Sequence, residues 1–273
     1  MGEYTLDLEQ YASLIRQVAA ESCVLLKNDD KALPLRNNDK VAVFGRSAFN
    51  YYKSGLGSGG LVNTRYVVSI LDALRENKDI ILDEELLKVY EEWIKENPFD
   101  EGEGWGKVPW SQKEMKIDDS VVQATSHADI ALVIIGRTAG EDQDSKNEPG
   151  SYLLTEDEES MIEKVTKTFK RTVVILNVGN IIDMKWVEKY NPSSVLYVWQ
   201  GGQEGGNGVV DVLTGKINPC GKLTGTIAMN IEDYPSTENF GDMEKNYYKE
   251  DIYLGYRYFE TFAKNKVMYP FGY

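Results

Sequence analysis

Seven consecutive residues, Ile130-Ala131-Leu132-Val133-Ile134-Ile135-Gly136, carry no polar side chain and show no alternation. A strand with one wet face alternates, so a run of this kind belongs to an interior strand of a parallel sheet covered on both sides. The segments around it repeat the same order. Short apolar runs at 41–44, 80–82, 172–176, 194–199 and 223–228 read as further strands, and helical spacing at 9–27, 65–77, 84–96, 119–127, 155–170, 182–190 and 207–214 fills most of the intervals. The chain is therefore expected to be α/β, an open, mostly parallel sheet of the six-stranded type with helices on both faces. Residues 1–228 form that domain. Residues 229–273, with Tyr247, Tyr248, Tyr253, Tyr256, Tyr258, Tyr269 and Tyr273 and no clear period, form an irregular aromatic tail leading toward a further domain.

Charge narrows the partners. Lys and Arg number 30 against 44 Asp and Glu, a net charge of -14, and no basic run interrupts it. Phosphates are repelled by such a surface, which excludes nucleic acid and anionic membrane and favours neutral or cationic substrates. The N-terminus lacks the basic and apolar segments of a secretion signal, and no window approaches a membrane span, so a cytoplasmic location is expected. Cys23 and Cys220 lie far apart and read as buried free thiols. With those two and a single histidine, His127, no His or Cys metal cluster and no Ser-His-Asp or Cys-His site is expected; His127 reads as a capping or packing residue.

In an open α/β sheet ligands sit outside the carboxyl ends of the strands, which directs attention to four loops. Gly55-Leu56-Gly57-Ser58-Gly59-Gly60 matches the G-x-G-x-x-G pattern formally, but Arg46 to Ser54 separate it from the strand that should feed it. It reads equally as a turn that lets backbone approach another surface. The second loop, from Arg137 to Gly150, is long for a compact domain and holds Glu141, Asp142, Asp144 and Glu148 ahead of Thr155 and Glu158, a capping-box pair. A carboxyl there suits general acid work, while a solvated acidic surface has the same composition. The third loop sets Trp105 and Trp110 among glycines and acids, as a sugar-stacking surface or a local mini-core would. The fourth, Gly201-Gly202-Gln203-Glu204-Gly205-Gly206-Asn207, must be a tight turn with close backbone approach.

Ala19-Ala20-Glu21-Ser22-Cys23-Val24-Leu25-Leu26-Lys27-Asn28 with Leu33-Pro34-Leu35, the stretch from Gly201 through Asp211-Val212-Leu213-Thr214-Gly215 to Asn218-Pro219-Cys220-Gly221-Lys222-Leu223, then Gly255-Tyr256-Arg257-Tyr258 and Pro270-Phe271-Gly272-Tyr273 resemble the α/β sandwich domain of family 3 glycoside hydrolases. The resemblance runs from about Ala19 to the end. It implies a retaining β-glucosidase-like hydrolase in which a separate (β/α)8 barrel supplies the aspartate nucleophile and this domain the acid/base glutamate. No cofactor is implied. The family's loop often reads Gly-Glu-Gly-x-Asp-Arg, onto which Gly140-Glu141-Asp142-Gln143-Asp144-Ser145 maps. Glu141 is thus the implied acid/base and Glu148 the second candidate, with Asp142 and Ser145 departing from the pattern, as do Thr224, where proline is usual, and Cys23. Gly57, Ser58, Trp105, Trp110 and Arg137 are the candidate substrate-binding residues. Some members place this domain before the barrel, and an inverted order of that kind is expected here, the isolated chain being inactive. The alternatives are a non-catalytic carbohydrate-binding or structural module and, more remotely, a nucleotide-dependent enzyme using the Gly55 to Gly60 loop.

Overall fold

In the computed structural model, which describes residues 5–56, 60, 62–104, 106–141 and 144–273, all eight residues of the strand at Ile130–Arg137 are buried. Its side chains divide by parity between two apolar clusters, Ala131, Val133 and Ile135 on one face of the sheet and Ile130, Leu132 and Ile134 on the other. The strands are β1 (Val24–Asn28), β2 (Lys40–Phe44), β3 (Ile81–Leu82), β4 (Ile130–Arg137), β5 (Thr172–Val178) and β6 (Ser194–Tyr197), in the order β1-β6-β5-β4-β2-β3. Every pairing is parallel except that of β1 with β6. Helices α1 (Leu8–Ser22) and α2 (Ile70–Glu76) cover one face; α3 (Glu84–Glu96), α4 (Asp119–Ala124), α5 (Glu156–Thr168) and α6 (Lys185–Tyr190) cover the other; and α7 (Gly205–Leu213) joins the first pair. The expected α/β architecture is the observed one.

Two memberships differ from expectation. Residues 24–28 are not the end of a helix running from 9 to 27. The helix stops at Ser22, Cys23 turns to extended backbone (ψ 138°), and Val24 and Leu26 point inward as β1 pairs with β6. The helical spacing of Leu25 and Leu26 is overridden because β6 needs a partner for its open edge. Conversely, 223–228 does not enter the main sheet. Only β7 (Ile227–Ala228) is extended, and it pairs antiparallel with β8 (Val267–Tyr269) in a two-stranded ribbon. The sheet has six strands, with β1 in the place assigned to 223–228. The helix expected from 65 starts at Ile70, where the Ser69 hydroxyl and Asp72 carboxylate each accept the other's backbone N–H at 3.0 Å.

The tail after β7 carries α8 (Tyr256–Phe262) and then returns to the sheet: Gly272 donates to the Leu223 carbonyl at 2.9 Å and the Tyr273 hydroxyl to that of Leu26 at 3.1 Å. Much of its apolar surface faces solvent, with Phe240 62% and Tyr248 86% exposed. Among the described residues no helix is long and apolar enough to cross a membrane.

Candidate active site

The connection from β2 leads outward to β3, whereas β4 leads the other way to β5 and β6, so the sheet's switch point lies between β2 and β4. A crevice opens outside the carboxyl ends of two such strands. Here the loops that leave them lie together. Leu56 donates its N–H to the Ala139 carbonyl, and Leu56 and Gly140 form a parallel bridge. A Cβ on Gly55 would meet the Ala139 carbonyl, and one on Gly140 would meet Leu56, both closer than real Cβ atoms approach. At Gly55 and Gly140 the absence of a side chain therefore permits a close backbone approach between the two loops. Thr138 donates to the Trp110 carbonyl at 2.8 Å and the Gln200 amide to the Arg137 carbonyl at 3.2 Å. The chain is thus held from several sides up to Gly140, and the next residue, Glu141, is exposed.

The far end of the loop is held from below. Arg137 is fully buried, and each of its five guanidinium N–H donors has an acceptor: Nε the Ser151 carbonyl at 3.0 Å, Nη1 the Gly136 carbonyl at 2.8 Å and Glu158 Oε1 at 2.6 Å, Nη2 the Leu153 carbonyl at 3.1 Å and Glu158 Oε2 at 2.7 Å. Glu158 Oε2 also accepts the Thr155 N–H at 2.8 Å, and the Thr155 hydroxyl accepts that of Glu158 at 3.2 Å, so the expected capping box is built into the ion pair. This corrects the expectation that Arg137 binds substrate. With no exposed surface and no spare donor, it fastens the two ends of the loop.

Between these ends the chain folds on itself. The Glu148 carbonyl accepts the N–H groups of Ser151 and Leu153, both at 3.2 Å, while its exposed carboxylate lies 4.0 Å from Lys146 Nζ. Ser145, at the position where the family pattern has arginine, accepts a hydrogen bond from the Asn180 amide. A cleft of about 540 Å³ runs between this segment and the 106–111 segment, with Trp110, Lys107, Ser111, Asp144 and Glu148 on its walls. Trp110 is half-buried there. Gly57, Ser58 and Trp105 lie outside the described residues; the structure brings Glu148 and Trp110 together at the cleft and sets Arg137 at the root of the loop that carries Glu141.

Two buried residues had no sequence signal. Asn177, at the end of β5, accepts the Tyr52 N–H at 2.8 Å and donates to the carbonyls of Tyr52 and Trp199 at 3.0 and 2.7 Å, joining the loops after β2 and β6. Glu114 is buried beneath the 97–116 segment, and burial pushes its carboxyl up to about 8. A lone amide after an apolar strand, or one acid among many in a loop, reads as surface. His127 sits at the opposite end of the sheet, its Nδ1 3.0 Å from the Ala124 carbonyl. Both cysteines are free, but only Cys23 is buried; Cys220 is exposed, contrary to expectation.

The model of the glycosyl hydrolase family 3 C-terminal domain matches residues 23–256. A β-glucosidase of Ruminococcus albus is 51% identical over 269 residues, which make up 98% of this chain and 28% of that protein. The crystal structure of a β-glucosidase from Paenibacillus barengoltzii superposes with a TM-score of 0.95 at 52% identity, over 100% of this chain and 30% of its own. β-Glucosidase 3B from Thermotoga neapolitana, solved with glucose, gives 0.88 at 36%, over 98% and 38%. The chain thus spans about a third of the length of these relatives. It belongs to glycosyl hydrolase family 3, as that family's C-terminal domain.

Proposed function

We propose that this domain supplies the general acid/base of a retaining β-glucosidase acting on terminal non-reducing β-D-glucosyl residues, and that Glu141 is that group. The observation carrying the proposal is that Glu141 is the exposed residue immediately beyond a root clamped at the sheet's switch point. The names of the similar proteins, β-glucosidases, support the reaction class.

In such a reaction one carboxylate attacks the anomeric carbon while a carboxyl about 5 to 5.5 Å away protonates the leaving oxygen and then draws a proton from water. Glu141 takes the second part. The nucleophile comes from the family's (β/α)8 barrel, and the exposed apolar side chains of the tail supply a surface for another domain to cover. Trp110, on the wall of the adjoining cleft, offers an aromatic face to the leaving-group sugar.

The test compares Glu141→Ala with Glu148→Ala in the enzyme that holds this domain together with its barrel. Protonation matters most for a poor leaving group. Glu141→Ala is expected to lower kcat/KM, which reports the glycosylation step, by about 10² to 10⁴ on alkyl glucosides and cellobiose and far less on activated aryl glucosides. Glu148→Ala is expected to slow both alike or neither. A leaving-group dependence that appears in Glu148→Ala alone moves the assignment to Glu148.

A further inference from the structure

We propose that Arg137 and Glu158 are positioning residues of the reaction, fixing where Glu141 stands by tying together both ends of the loop that carries it; this rests on the reading of Glu141 as the acid/base. The five donors of Arg137 are shared out in a telling way. One goes to its own strand, at Gly136, two to the far end of the loop, at Ser151 and Leu153, and two to Glu158 on the first turn of α5. Arg137 is four residues before Glu141. Its guanidinium therefore closes the loop with contacts that span 14 and 16 residues, and Glu158 closes it again at 21.

Stability alone does not call for this arrangement. A buried ion pair is often replaced by apolar residues of equal volume with no loss, because desolvation offsets the attraction. A flat apolar side chain at 137 would cover the core equally well, yet it would leave the Ser151 and Leu153 carbonyls without their donor. A planar fork with five fixed donors is the side chain that joins three backbone carbonyls and a carboxylate in one plane, and lysine does not reproduce it. The same Arg137 lies under the Gln200 contact and beside Thr138, which is tied to Trp110. Displacing it moves the Glu141 root and one wall of the neighbouring cleft together. Misplacing a catalytic group by about 1 Å is worth about 10² in rate.

A positioning residue acts through another group, and this gives the test. In the enzyme containing the barrel, Arg137→Met and Glu158→Gln are made alone and each combined with Glu141→Ala. Turnover is followed on an activated aryl β-glucoside, whose deglycosylation still needs the base. With Glu141 present, Arg137→Met is expected to lower kcat about 10²-fold and KM with it, since the covalent intermediate accumulates while kcat/KM changes far less. With Glu141→Ala in place, the same substitution is expected to lower kcat no further, because the group it positions is gone. Glu158→Gln, which keeps the shape and the Thr155 contact, is expected to show the same pattern at about tenfold, and it carries the test if Arg137→Met fails to fold. Equal losses in both backgrounds overturn the inference, since a general loosening of the domain does not depend on Glu141. Wild-type kcat in Glu158→Gln overturns it as well. If Glu141→Ala is not rescued by azide, the acid/base reading falls and this inference with it; rescue with additive losses sinks the inference alone.

Discussion

The Glu114 carboxylate accepts the backbone N–H of Arg46 at 2.9 Å through Oε2 and that of Met115 at 2.8 Å through Oε1, joining the start of the loop after β2 to the segment that carries Trp110. The Arg46 side chain repeats the connection. Its guanidinium donates to the carbonyls of Lys113 and Asn97 at 3.0 and 2.7 Å and lies 5.4 Å from the centre of the Trp93 ring. Beneath the switch point, one buried arginine thus fastens the 97–116 segment while Arg137 fastens the acidic loop.

The burial of Glu114 makes stability depend on pH. Burial raises Glu114 to about 8, against the pull of the two N–H groups, whereas an unfolded glutamate titrates near its ordinary value of about 4.3. Between those values the folded state keeps a proton that the unfolded state has released, so stability falls as pH rises through that window and levels off above it. Glu114→Gln is expected to flatten this slope. Urea unfolding midpoints at pH 5 and pH 8 measure it, and an unchanged slope in the variant contradicts the assignment.

Breaking the Arg137 and Glu158 pair from one side leaves a buried charge without its partner. Arg137→Met is expected to destabilise the domain by about 3–5 kcal/mol, and adding Glu158→Leu to recover part of that loss, the Ser151 and Leu153 carbonyls staying without their donor. Denaturant titrations of the single and double variants decide it. A double variant as unstable as the sum of the singles means the two side chains do not act as a pair.

The β4 run was legible because both of its faces are apolar, and that one strand carries the fold class with it. The extended state of 24–28 was not legible, since Leu25 and Leu26 continue the helical spacing of α1 and only the open edge of β6 decides against it. The Thr155 and Glu158 cap was visible as a spacing, but its second duty toward Arg137 was hidden. An arginine after an apolar strand looks like a loop residue until the Ser151 and Leu153 carbonyls are seen around it. Glu141 was singled out by a motif, and the fixed root ahead of it follows from Gly55 and Gly140, whose missing side chains let two loops touch.

The 273-residue chain by itself is expected to hydrolyse aryl β-glucosides at no more than background rate, because a double displacement without its nucleophile has no covalent step. Turnover by the purified chain that Glu141→Gln abolishes contradicts this.

In the complete enzyme, Trp110→Ala is expected to raise KM for cellobiose and longer substrates several-fold, by about 1 kcal/mol of lost stacking, and to leave short aryl glucosides nearly unaffected. Steady-state kinetics on a series of increasing chain length checks it. A lowered melting temperature with unchanged kinetics assigns Trp110 to packing alone.

The most direct measurement is the product formed by Glu141→Ala from an activated aryl β-glucoside when azide is added. Loss of the acid/base leaves glycosylation of the nucleophile possible but stalls the attack of water, so the covalent intermediate accumulates until a nucleophile that needs no base arrives. The expected result is a turnover that rises with azide concentration and a β-glucosyl azide as its product. No azide effect, or an α-configured azide, contradicts the assignment of Glu141 as the acid/base of a retaining enzyme.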